Sequence, residues 1–153
     1  MSVSYAQDIF SLLQGKWALS RYISHSTFAQ DIYEGFGFAI ISSESEYIIK
    51  YHEKLKLKNL SSLSSSSLEI DGERAYHYIY HHDQDQITKY FIDGSLFYDI
   101  KILHSECTGS YFCERDIYKA KYCFENNHSF LLKYEVSGLK KDYVIGTRYT
   151  RIY

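Results

Sequence analysis

Arg21, Glu53, Arg74 and Asp116 are ionisable residues set in stretches where every second position is aromatic or aliphatic. Two guanidinium groups and two carboxylates can hold a ligand carboxylate, phosphate or carbonyl, because the planar fork of arginine pairs with such groups through two parallel bonds. The same four can instead pair with one another as an internal ion-pair network. Tyr51, Tyr76, Tyr78, Tyr118, Tyr122 and Tyr134 lie on faces of the same kind. They supply either hydroxyl-tipped aromatic walls for a flat or amphipathic ligand, or plain core. Asp116 and Tyr118, two apart, also form a possible base and acid for catalysis.

Alternation is what turns these residues inward. Side chains of a strand point to opposite faces with period two. In one stretch Tyr47, Ile49, Tyr51, Glu53, Leu55 and Leu57 make one face, and Ile48, Lys50, His52, Lys54, Lys56 and Lys58 the other. The lysine row belongs in water and discourages edge pairing, which leaves Glu53 on the apolar side. The same reading turns Arg21 inward with Trp17, Leu19 and Ile23, Arg74 with Tyr76, Tyr78 and Tyr80, and Asp116 with Tyr118, Ala120, Tyr122 and Phe124. Ionised groups are seldom buried without partners, so an inward set of both signs points to a lined cavity.

These stretches belong to a chain that reads as all-β. Ala6 to Gln14 is one short helix, with Ile9, Leu12 and Leu13 at helical spacing and Gly15 ending it. Strands follow at Trp17–Ser24, Gly35–Ser42 (with Phe36, Phe38 and Ile40 on one side), Tyr47–Lys58, Glu73–His81, Ile87–Ile92 and Leu96–Leu103. Asp116–Phe124, Phe130–Val136 and Asp142–Tyr153 complete the set. Asp93-Gly94 is a two-residue hairpin signal, and the serine-rich stretch 59–67 reads as a loop. About nine or ten strands joined by short turns suggest a closed antiparallel up-and-down barrel, with room for side chains and one small ligand.

Composition narrows the function. The 153 residues are expected to form one domain over 1–153, and the formal charge of -2 makes no electrostatic case for nucleic acid. No stretch approaches the roughly 20 apolar residues of a membrane helix. Met1 to Gln7 is polar and does not resemble a secretory signal. Cys107, Cys113 and Cys123 lack CxxC pairing. They read as reduced thiols of a cytoplasmic protein, with Cys113 a buried small hydrophobe and no zinc spacing. His77 and His81 share the face opposite Arg74, so the surface suits them better than a metal or haem iron.

Gly15-Lys16-Trp17, placed after a short helix, resembles the G-x-W motif of the calycins, the lipocalin and fatty-acid-binding-protein group. The resemblance implies that Trp17 plugs one end of a barrel and that Arg151 or Arg148 packs across it, a structural closure. A longer resemblance, from about Phe10 to Tyr153, is to a bacterial family of unknown function, DUF6314, with a lipocalin-like barrel. It rests on Phe10-x-x-Leu13-x-Gly15-x-Trp17 with Arg21, on Tyr51-x-Glu53, and on Arg74-x-Tyr76. Further on it rests on Phe91-x-Asp93-Gly94 with Phe97, on Cys113-x-x-Asp116-x-Tyr118, and on Gly138-x-x-Lys141-Asp142-Tyr143 with Tyr149 and Arg151. Tyr111 and Leu139 stand where that family tends to have His and Pro. The family carries no established activity, so its resemblance implies a fold.

The expectation is a calycin-like barrel with a short N-terminal helix closing one end. Its interior would bind a small anionic or amphipathic organic molecule through Arg21, Tyr51, Glu53, Arg74, Tyr76, Asp116 and Tyr118, with Trp17 and Arg151 closing the barrel. No nucleophile elbow, phosphate loop or metal spacing is visible. Binding is therefore favoured over the alternative, a small cofactor-independent isomerase or hydrolase using Asp116 and Tyr118. A scaffold with a structural polar interior and a protein partner on its outer face is a third reading. No cofactor, ligand identity or oligomeric state follows from the sequence.

Overall fold

The computed structural model describes residues 6–25, 32–60, 69–103, 106–139 and 142–153. Most of the serine-rich loop, residues 61–68, lies outside the described residues. One helix, α1 (Ala6–Leu13), precedes β1 (Gly15–His25), β2 (Ile32–Ser45), β3 (Ile48–Asn59), β4 (Glu69–His81) and β5 (Gln86–Phe91). Then come β6 (Leu96–Leu103), β7 (Glu106–Cys113), β8 (Asp116–Asn126), β9 (Ser129–Ser137) and β10 (Asp142–Ile152). Each strand pairs antiparallel with its neighbours in sequence, and β1 pairs with β10 to close the barrel. Closure gives every strand a partner on both sides for part of its length.

Alternation governs burial along β1 and β3, where Trp17, Leu19 and Arg21, and Ile49, Tyr51, Glu53 and Leu55, are buried. On β2 the bulky side faces outward: Phe36 and Phe38 are 59% and 63% exposed. The inward row is Gly35, Gly37, Ala39 and Ile41. Its smallness lets β2 and β3 come together, since a Cβ on Gly37 would stand 2.0 Å from the Lys54 carbonyl oxygen.

Two local expectations differ from the structure. β7 carries the inward row Cys107, Gly109 and Tyr111, in which glycine breaks the apolar alternation that marks a strand. A Cβ on Gly109 would meet the Tyr98 ring at 2.2 Å, so Tyr98 of β6 occupies that space. The β5–β6 connection is a four-residue turn over 92–95, not a two-residue hairpin. Gly94 adopts φ +92°, and the Asp93 carboxylate accepts from the Ser95 amide at 2.9 Å.

The helix closes one end. Ala6, Ile9, Phe10 and Leu13 are buried, and Phe10 packs its ring against Tyr80. The last carbonyls of a helix lack intrahelical donors. Here the Trp17 indole donates to Leu13 O at 2.9 Å, and Arg151 donates to Leu12 O and Gln14 O, each at 2.7 Å. The Arg151 guanidinium also lies 4.2 Å from the centre of the Trp17 ring. Trp17, Phe130 and Tyr149 fill the space beneath. No helix among the described residues is long and apolar enough to cross a membrane.

Candidate functional site

Two buried hydrogen-bond networks occupy the middle of the barrel. In the first, Arg21 of β1 donates through both terminal nitrogens to Glu53 of β3, at 2.6 and 2.7 Å, and through Nε to Thr147 Oγ1 at 2.7 Å. Tyr51 donates to Glu53 Oε1, and its hydroxyl lies 2.7 Å from that of Tyr149. β2 runs between Arg21 and Glu53, and its small inward residues leave the arginine room to cross. Burial raises the Glu53 carboxyl, but the Arg21 bonds and charge outweigh it and hold the group below the usual carboxylate range. Burial likewise opposes the Arg21 charge, and Glu53 again decides the balance, toward a firmly protonated guanidinium.

The second network was not anticipated from the sequence. Lys89 of β5 is 2% exposed, and its Nζ donates to the Tyr134 hydroxyl at 2.9 Å. From Tyr134 the hydroxyls run on to Tyr98 at 2.7 Å, then to Tyr122 and to Tyr78. Burial drives the Lys89 pKa well below the ordinary lysine value; Glu53 counters this, while the Arg74 and Arg21 charges add to it. Burial also raises Tyr78, Tyr98, Tyr122 and Tyr134, so these phenols stay protonated. The signal was present, because Ile87, Lys89 and Phe91 alternate in the way that exposed Arg21 and Glu53.

At the end away from α1 the barrel holds a cavity of about 260 Å³. Its walls are aromatic, from Tyr76, Phe91, Phe97, Tyr111, Tyr118, Tyr134 and Tyr143, with Ile145 and, as the one charged residue among those described, Arg74. Phe97 stacks on Tyr134 and on Phe91, with centroids 6.0 and 4.4 Å apart. The cavity shares Arg74, Tyr76 and Phe91 with an outer cleft running to Asp93 and Ser95.

Of the residues singled out in the sequence, Arg74, Tyr76 and Tyr118 line this cavity. Arg21, Tyr51 and Glu53 come together beside it, engaged with one another. Arg74 stands opposite Glu53 in the β3–β4 register, yet it is exposed, because it lies where β4 runs past the end of β5. Asp116 is half-buried at the β7–β8 turn and does not line the cavity, although Tyr118 does. Cys113 corrects an expectation. It is exposed, since it ends β7 immediately before the turn at Glu114, and Cys107 is the buried thiol. His77 pairs with Glu44 at 3.2 Å, and no group of metal-ligating side chains occurs among the described residues.

A family model matches residues 13–151. The chain belongs to a family of unknown function, DUF6314. The calycin-like fold of this DUF6314 member is also seen in the S-type phycobiliprotein lyase CPES from Guillardia theta. That structure superimposes with a TM-score of 0.67 at 10% identity, over 97% of this chain and 93% of the other. A redesigned β-barrel bound to DFHBI gives a TM-score of 0.45 at 10% identity, over 92% and 99% of the two chains. At such identities the likeness concerns the fold alone. A comparison of the DUF6314 chain with curated proteins finds no match.

Proposed function

We propose that this protein binds a small organic molecule, anionic or amphipathic, in the cavity away from the helix. The observation that carries this reading is the composition of the wall: among the described residues, seven aromatic side chains and one aliphatic surround the cation Arg74. Such a wall takes a flat apolar body, while one guanidinium fixes a carboxylate, phosphate or carbonyl at the rim. Tyr76 and Tyr118 add hydroxyls beside it. Arg21 and Glu53 satisfy each other, so they support the wall with Tyr51 and leave ligand contact to Arg74. A volume of about 260 Å³ suits a ligand of one or two rings.

A thermal-shift screen of aromatic acids and matched neutral compounds, with native mass spectrometry of the freshly purified chain, tests the proposal. Ligands that bind the folded state raise the melting temperature. The expected outcome is a shift with aromatic acids that Arg74→Gln reduces without lowering the unliganded melting temperature. A screen in which nothing shifts and nothing is retained overturns it.

A further inference from the structure

The first part of β4 is held on one side only. Glu69–Ala75 pairs with Lys58–His52 of β3, but the pairing with β5 begins at Tyr76. Among the described residues, no backbone bond reaches Glu69–Ala75 from the side away from β3. Alternate residues of an antiparallel strand turn their N–H and C=O groups to opposite sides, so this stretch presents a row of donors and acceptors to solvent. Its side chains are exposed or half-buried. At the Ala75 end a cleft of about 450 Å³ gives room beside the edge, lined by Arg74 and Ala75 of β4 and by Ile92, Asp93 and Ser95 of the turn.

The side chains along this edge select what can pair there. Glu69, Asp71 and Glu73 project outward, while Ile70, Gly72 and Arg74 share the inner side with Tyr76. β3 shows what such a strand takes as a neighbour. Opposite the acids stand Lys58, Lys56 and Lys54, and opposite Ile70 and Gly72 stand Leu57 and Leu55. Opposite charges facing each other across a ladder stabilise the pairing, and like charges oppose it. A second copy of the same edge, paired antiparallel about Gly72, would set Asp71 against Glu73, so the edge repels itself. Asp93 adds a further carboxylate at the cleft. Glu73 engages His52, whereas no ion pair holds Glu69 or Asp71 among the described residues.

We propose that the free edge of β4 takes up an extended segment of a partner protein as an added strand, one that alternates lysine or arginine with apolar residues. The backbone groups of Glu69–Ala75 hold the segment, and the acids choose it. Its basic side chains lie beside Glu69, Asp71 and Glu73 on the outer face. Its apolar side chains continue the inner face next to Ile70 and Gly72, as Leu57 and Leu55 do on the other side. In strand addition of this kind the main-chain bonds give affinity and the alternate side chains give specificity. The interaction is independent of any molecule in the cavity, although Arg74 belongs to both places.

The test uses the full chain with synthetic peptides as long as the free edge. One alternates lysine with valine, and a second alternates glutamate with valine. A third is the lysine peptide N-methylated at every amide, which keeps its charge and removes its backbone donors. Hydrogen exchange read by mass spectrometry locates the binding, and calorimetry measures its strength. The lysine peptide should slow exchange within 69–75, and the other two should bind about tenfold more weakly or worse. Glu69→Gln combined with Asp71→Asn should weaken the lysine peptide about fivefold. Exchange in 69–75 that ignores the lysine peptide overturns the proposal. So does an N-methylated peptide that binds equally well, since charge attraction alone would then account for the binding. Protection of 69–75 that rises with protein concentration and without peptide would show the edge pairing with its own copy, which also overturns it. The peptide comparison on the wild-type chain decides the matter even if the double variant folds poorly.

Discussion

Arg21 and Glu53 meet across an intervening strand, through two bonds of 2.6 and 2.7 Å. Their side chains span β2 where it presents Gly35, Gly37 and Ala39, so the ion pair and the small-residue row are one device. Burial of both partners makes the pair costly to break and of modest net value when intact.

Removing one partner therefore costs more than removing both. Glu53→Gln should lower stability by about 3–5 kcal/mol, and Arg21→Met by a similar amount. The double variant should recover most of that loss. Urea unfolding of the four proteins measures the coupling; strictly additive losses would show that the charges act independently.

Lys89 links stability to pH. The folded chain holds this proton more weakly than the unfolded chain, because burial outweighs the attraction of Glu53 and the charges of Arg74 and Arg21 add to it. The unfolded state thus binds more protons between the folded value and the ordinary lysine value of about 10.4. Across that window the residue's contribution makes stability rise with pH, and its penalty is greatest below the window. Lys89→Met should be more stable than wild type at acidic and neutral pH, with the difference shrinking as pH approaches about 10. Chemical unfolding across pH checks this, and a constant difference would contradict it.

The inward row of β2 tolerates no bulk at Gly37. A Cβ on Gly37 lies 2.0 Å from Lys54 O and 2.7 Å from Leu55 Cα, both backbone atoms that no rotamer change can move. Gly37→Val should cost about 3 kcal/mol or more by overpacking. Phe38→Ser, one residue away on the outer face, should change stability by less than about 0.5 kcal/mol. Thermal melts followed by circular dichroism separate the two.

The helix-end closure depends on the fork of Arg151, whose two terminal nitrogens serve Leu12 O and Gln14 O while the guanidinium covers Trp17. Arg151→Ala should cost about 2–3 kcal/mol. Arg151→Lys should recover less than half of it, since a single ammonium lacks the planar fork. Trp17 is the only tryptophan, so its fluorescence reports the unfolding. A fully stable lysine variant would show that charge alone suffices.

Much of this fold was legible in the sequence, because most strands alternate cleanly and a closed barrel lets that alternation decide burial. The inward charges on β1 and β3 followed from the same rule. It faltered at β7, where Gly109 gives way to the Tyr98 ring, and at β2, where bulk lies outside because β3 comes so near. Lys89 obeyed the rule but sits in a strand of six residues, too short for its period to stand out. Which inward residues meet depends on register. Register sets Arg74 at an exposed rim and leaves Asp116 at a turn, something a single strand's pattern does not carry.

Because α1, Trp17 and Arg151 block one end, the described part of the barrel is a blind alley. A molecule that enters beside Arg74 has to back out the way it came. Nothing can push it from behind, so a rival in solution cannot hasten its departure. Exchange then proceeds at the occupant's own pace.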